Sequence, residues 1–267
     1  MRGVLFLIAI AGLIFILSNP FANDFSAEND STPELQTKSH ARSFLEHYTK
    51  PIRLDESMLV NLLRERDPFF QTPKITQLLK KNYSATNPMA RAYGEQPYST
   101  STQVEDSMAH SDAGDAYLIH ALYCDLVPFS PDNFKKLLTF TDGQGGYGDT
   151  HVLLVLSFLK HRNCVDTAEI DTAMAPIVQR IAGAEFSSTS YDIQAERIVF
   201  LYWAGKGDLV QKAWIDHLLA GQAKDGSWVD PHRSVLIVHA TAFSLLALYY
   251  FNQGLPYQDP FTNRYAM

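Results

Sequence analysis

Acids and imidazoles recur in this chain where apolar runs begin. Asp112 and Asp115 precede "AYLIHALY", Asp149 and His151 precede "VLLVLSFL", Asp192 and Glu196 lead into "RIVFLYWAG", and His239 lies inside "VLIVHATAFSLLALYYF". Carboxylates and imidazoles around one hollow can divide acid and base roles, because crowding and burial raise one carboxyl's pKa above another's. A polysaccharide lyase or glycosidase uses such a set. Asp149, His151, Asp192 and His239 are the catalytic candidates. Asp112, Tyr147, Tyr191 and Arg197 are the ligand-binding candidates, and Tyr147, Tyr191 and Trp228 offer flat faces for a sugar ring.

Each candidate also has a plainer use. Asp112, Asp149 and Asp192 stand where helix N-caps belong. His239 suits a satisfied core histidine, Trp228 a structural one, and Arg197 an internal ion pair with Asp192 or Asp149. On a regular helix Asp149 and His151 point about 200° apart. They converge only if Asp149 precedes the helix proper, which the "GGYG" turn permits. No Ser-His-Asp order, phosphate-binding glycine loop or Cys-x-x-Cys is present.

The elements that must position these residues read as helices. Ile170, Met174, Ile177 and Ile181 form one apolar stripe, the mark of a one-faced helix. Phe134 with Leu137 and Leu138, and Val210 with Trp214 and Leu218, repeat it. "VLLVLSFL", "RIVFLYWAG" and the run ending at Phe251 are apolar on every side and so must be buried on every side. The two kinds alternate: about 131–140 then 149–161, 167–183 then 190–204, and 208–222 then 234–252. A weaker pair is 72–82 with 108–124, and 41–49 with 55–66 suggests another. Aligning the second helices brings Asp112, Asp149, Asp192 and His239 into register at spacings of 37, 43 and 47 residues. Helical hairpins wet outside and buried inside stack into an arc or ring. The run 235–251 has a membrane span as its rival, against which His239, Thr241 and Ser244 argue.

The chain's 267 residues and net charge of −7 suit a globular domain and disfavour nucleic acid, which needs clustered Lys and Arg. Residues 1–18 carry one charge, Arg2, before an unbroken apolar run, and read as a signal peptide or an N-terminal membrane anchor. Residues 19–38 are polar and read as a tether. That leaves 39–267 as the exported domain. Cys124 and Cys164 are the only cysteines; they could pair in an oxidising compartment or remain two buried thiols.

Two turns carry a family resemblance. Gln222-Ala-Lys-Asp-Gly226-Ser-Trp228 has the spacing Gln-x-x-x-Gly-x-Trp between an outer helix and the inner helix it feeds. It resembles the QW-type repeat of the terpenoid cyclase and protein prenyltransferase toroid superfamily. "DGQGGYGDTH", 142–151, looks like the Gly-Gly-aromatic version in prenyltransferase β subunits. The resemblance covers roughly 108–252 and implies an α/α toroid. Prenyltransferase β subunits hold zinc with an Asp-x-Cys and a later His. The resemblance puts Asp149, His151 and His239 in similar places, with His151 where the family has Cys. The Asp-x-Asp-Asp of class II cyclases and the diphosphate-ionising Asp-Asp-x-x-Asp are absent.

The expectation is therefore an all-α chain: an α/α toroid, or an open arc of four to five helical hairpins, preceded by an N-terminal apolar helix. Two functions stay open. One is an enzyme that binds and cleaves a carbohydrate or other cell-envelope polymer by acid/base chemistry in its central cavity. The other is a non-catalytic, membrane-anchored scaffold using the same concave surface. Prenyltransferase- or cyclase-like chemistry is a minor third. The expected partners are the membrane through the N-terminal segment, a polymer or small molecule in the cavity, and further copies through the end repeats. Apart from the zinc positions implied by the resemblance, metal and cofactor stay unassigned.

Overall fold

The computed structural model describes residues 32–82, 87–93, 98–185, 190–229 and 237–254. The apolar segment 1–18 and the tether as far as residue 31 lie outside the described residues. Among the described residues all regular structure is helical. The α-helices are α1 (Pro33–His47), α2 (Leu54–Arg66), α3 (Pro73–Asn82), α4 (Ser101–Ala109), α5 (Ala113–Leu122) and α6 (Pro131–Leu138). They continue with α7 (Tyr147–His161), α8 (Thr167–Gly183), α9 (Tyr191–Trp203), α10 (Lys212–Ala220) and α11 (Ile237–Gln253).

Burial separates them into two kinds. In α7 every residue from Val152 to Leu159 is buried, and in α11 every residue from Val238 to Leu248. By contrast α8 buries only Ile170, Met174, Ile177, Val178 and Ile181, and α10 only Trp214, Ile215 and Leu218. The buried helices touch in sequence: α5 packs on α7, α7 on α9, α9 on α11, and α11 on α2. A 3-10 turn at Pro88–Tyr93 packs against both α2 and α5. There Asn87 donates to Ser57 Oγ at 3.3 Å, and the Tyr123 hydroxyl donates to Pro88 O at 3.2 Å. The one-faced helices lie on these: α8 on α7 and α9, α10 on α9 and α11, α4 on α5. Each Leu or Phe fully withdrawn from water in this core contributes roughly 1.5–3 kcal/mol.

Two expectations need correction. α1 begins at Pro33, inside the stretch 19–38 assigned to the tether. Thr32 caps it, proline occupies its first turn, and Thr37, Ala41 and Leu45 give it a buried face. The helix that accompanies α5 is α4, not the segment 72–82, which packs on α1 and α2 instead. α4 escapes a periodicity reading because only Val104 is buried; a capping box of Thr100 and Gln103 starts it. No helix among the described residues is long and apolar enough to cross a membrane, α11 included.

The turn from Gln222 to Trp228 ties the last hairpin to the first helix. Gln222 Nε2 donates to Thr37 O in α1 at 2.9 Å and to Gly226 O at 3.0 Å. Trp228 is fully buried; its indole N–H donates to Leu218 O at 2.7 Å and its backbone N–H to Thr241 Oγ1 at 3.1 Å. Gly226 has φ +92°, and a Cβ there would stand 2.2 Å from His40 O in α1. Cys124 and Cys164, 40 residues apart, form a disulfide beyond the far ends of α5 and α7.

Gly226→Ala should therefore lose roughly 1–3 kcal/mol from strain and the lost approach of α1, a fall of about 2–12 °C in Tm. Gly254→Ala is the control, since it also has positive φ (+59°) but no described residue within 4 Å of an added Cβ. Thermal melts should find the Gly226 variant the less stable; equal losses would mean that contact with α1 contributes nothing.

Candidate functional site

The polar starts of α2, α5, α7, α9 and α11 line one cavity of about 150 Å³. Its ionisable wall is Arg53 and Asp55, Asp112 and Asp115, Tyr147 and His151, Asp192 and Glu196, and His239. The local construction of each start decides which side chains are available.

At α7 the cap is Asp142. Its carboxylate accepts from the backbone N–H groups of Gln144 (2.9 Å), Gly146 (3.1 Å) and Gly148 (2.8 Å). Asp149 lies inside the helix, fully buried, and faces away from His151. It accepts from Gly145 N at 2.7 Å and from Arg180 at 2.6 and 3.0 Å. Arg197 Nε donates to Gly145 O at 2.6 Å, and its Nη1 donates to Glu185 O at 3.1 Å. Asp149 and Arg197 thus clamp the glycine turn from both sides. Neither lines the cavity, and both of these Arg197 bonds go to carbonyls. Loss of Arg180 would leave a buried carboxylate unpaired, at a cost of about 3–5 kcal/mol.

At α9 the cap is Ser190, whose Oγ accepts from Ile193 N at 3.4 Å. Asp192 is thereby released from capping and lies buried at 1% exposure. Its Oδ1 accepts from His239 Nδ1 at 2.7 Å, and His239 Nε2 stands 3.6 Å from Asp55 Oδ2. One turn along α9, Glu196 is wholly buried and accepts the Thr150 hydroxyl at 2.7 Å. His151 Nδ1 donates to Tyr147 O at 3.0 Å, leaving the ring's lone pair on Nε2; Nδ1 also lies 3.7 Å from Glu196 Oε2. Asp112 does cap α5, accepting from Asp115 N at 2.9 Å, while bordering the cavity.

Burial and charge set these groups apart. Burial holds His151 down to about 4 despite its bond to the Tyr147 carbonyl, so the ring is neutral near pH 7. At His239 burial acts downward too, but the hydrogen bond and charge of Asp192, with Glu196 and Asp55, outweigh it and raise the ring to about 9. Asp115 is pushed up to about 6 by burial, then by Asp112 and Asp55. Tyr147 is pushed to about 12 by burial and by Glu196, Asp112 and Asp115. The cavity therefore holds a neutral imidazole, an imidazolium, and a carboxyl that titrates above the usual range.

Of the catalytic candidates, His151, Asp192 and His239 meet at this cavity and Asp149 does not. Of the ligand-binding candidates, Asp112 and Tyr147 meet there. Tyr191 instead stacks on His217 at 5.6 Å, and Arg197 is spent on the turn. Trp228 is too deeply buried to offer a sugar a face. The zinc set implied by the prenyltransferase resemblance does not assemble, because both Asp149 oxygens are taken by Arg180 and Gly145 N. Sequence reasoning missed Arg53 and Asp55. "RLDESMLVNLL" carries the same signal as the other starts, an acid followed by an apolar run. Searches of protein-family models, curated proteins and solved structures return no match.

The His239 shift fixes a sign. Its folded pKa of about 9 lies above the unfolded value near 6.5. The stabilisation is therefore complete below pH 6.5 and is lost as pH climbs through 9. In a chelator, to exclude stray ions, Tm should decline over that interval, and His239→Asn should flatten that decline. An unchanged slope in the variant would contradict the assignment.

Proposed function

We propose that the chain is an exported α/α toroid whose central cavity cleaves a carbohydrate or other cell-envelope polymer by acid/base chemistry. The observation that carries this reading is the convergence of His151, Asp115, Asp192, Glu196 and His239, from four helices, on one cavity. The toroid is supported by the succession of buried helices α5, α7, α9, α11 and α2, by the turn bridging α2 and α5, and by the grip of Gln222 on α1. Export through the apolar segment 1–18, as an anchor or cleaved signal, is supported by the Cys124–Cys164 disulfide, since such bonds persist in oxidising compartments.

In this reading His151 Nε2 takes a proton from the attacking water, and Asp115, protonated below about pH 6, delivers one to the leaving oxygen. Asp192 and His239 form a fixed charged corner that orients the bound group, and Tyr147, 47% exposed, presents its ring at the wall. The volume decides how the polymer is met. Pockets for drug-sized ligands run to roughly 300–1,000 Å³, whereas about 150 Å³ accommodates a single ring. One terminal unit enters while the rest of the polymer stays outside.

The active form needs His151 neutral and Asp115 protonated. Turnover should rise as pH passes about 4 and fall beyond about 6. Release of reducing ends from a panel of envelope glycans by the full-length protein at pH 5 tests this. His151→Ala and Asp115→Asn should each lower kcat by about 100-fold or more with Tm preserved. Failure to release ends from any glycan, or turnover indifferent to both substitutions, would favour the scaffold.

A further inference from the structure

The cavity wall has a surplus of negative charge. Five carboxylates line it (Asp55, Asp112, Asp115, Asp192 and Glu196), against two cationic side chains, Arg53 and His239. Two of the five, Asp192 and Glu196, are at most 1% exposed. Carboxylates withdrawn from water are costly unless paired. Yet among the described residues Asp192 Oδ2 is buried with no hydrogen-bond partner.

We propose that Asp192, Glu196 and His239 form a binding site for one divalent transition-metal ion, of the Zn²⁺ or Mn²⁺ class. One ligand atom from each of the three lies within 4.8 Å of the others. Tetrahedral zinc with bonds of about 2.0 Å holds its ligands roughly 3.3 Å apart, so small rotations about the side-chain bonds close the set. Asp192 and Glu196 are one helical turn apart on α9, which puts their carboxylates on one face. His239 approaches from α11, the helix packed against α9. The geometry shared by Asp192 and His239 agrees with this. Their hydrogen bond of 2.7 Å holds a proton between two groups that would otherwise share a cation.

The chemistry of the donors narrows the ion. One imidazole with two carboxylates suits Zn²⁺ or Mn²⁺, whereas Ca²⁺ and Mg²⁺ take oxygen ligands and Cu(I) takes sulfur. Three protein ligands bordering a cavity leave the remaining coordination positions open to whatever occupies it, the arrangement of catalytic rather than structural sites. Thr150, donating to Glu196 at 2.7 Å, supplies the outer hydrogen bond that orients a ligand carboxylate. This set shares only His239 with the zinc positions implied by the prenyltransferase resemblance, where Asp149 is committed to Arg180.

The test reads binding, not turnover, so it can fail while the acid/base reading stands, or succeed while that reading falls. Full-length protein is stripped with chelator, dialysed, and titrated calorimetrically with ZnCl₂ and with MnCl₂. One ion per chain and a raised Tm are expected. Glu196→Gln and Asp192→Asn should each weaken binding beyond the ~10–100-fold that loss of an outer partner costs, and Asp216→Asn, on α10 and outside the cavity wall, should leave it unchanged. Where a variant misfolds, pulsed EPR of Mn²⁺ on the unaltered protein decides: coupling to one imidazole nitrogen is expected. No binding at millimolar metal, binding indifferent to Glu196→Gln, or Mn²⁺ without a nitrogen coupling would each overturn the proposal.

Discussion

A helix buried on all sides can carry charge cheaply only at its ends, where the backbone leaves polar groups unpaired and the packing is open. The rest of this structure depends on that constraint. α7, α9 and α11 each pass many consecutive side chains through the core, so the acids of α7 and α9 and the histidine of α11 fall near the first turns. Because α2 and α5 begin at the same place, five such starts share one small space. The cavity is the consequence of packing greasy helices side by side with their N-termini together.

What happens to each acid then depends on whether something else caps its helix. At α5 nothing does, so Asp112 takes the task. At α9 Ser190 takes it and Asp192 is left for His239. At α7 Asp142 takes it from seven residues away, and Asp149 holds Arg180. Three aspartates that look equivalent in register thus have three different fates. The same crowding separates the histidines. His151 has a carbonyl as its closest partner and stays neutral, while His239 has carboxylates on both ring nitrogens and stays charged.

Much of this was legible in the sequence. Helix kind and order followed from periodicity in the last three hairpins, because their stripes are long. The Gln222–Trp228 turn was legible because glycine and tryptophan have few substitutes at a tight bend under packed helices. The first third was less so. α4 buries one valine, and α1 hides its face among polar residues where composition suggests a tether. Register brought Asp149 into the shortlist, but register carries no information about caps six or seven residues upstream. Arg53 and Asp55 are hard to see because periodicity alone pairs α2 only weakly with its neighbour. Its buried run, Ser57–Leu63, marks it as an inner helix like the others.

The central claim is that His151 and His239 stand in one crowded cavity and are driven in opposite directions by it. Labelling the nine histidines of the metal-free, full-length protein and following their ring resonances by NMR against pH tests this directly. The account predicts one imidazole still protonated above pH 8 and another that resists protonation until near pH 4. His239→Asn should remove the first and His151→Ala the second. Nine rings all titrating near the ordinary value of about 6.5 would contradict it.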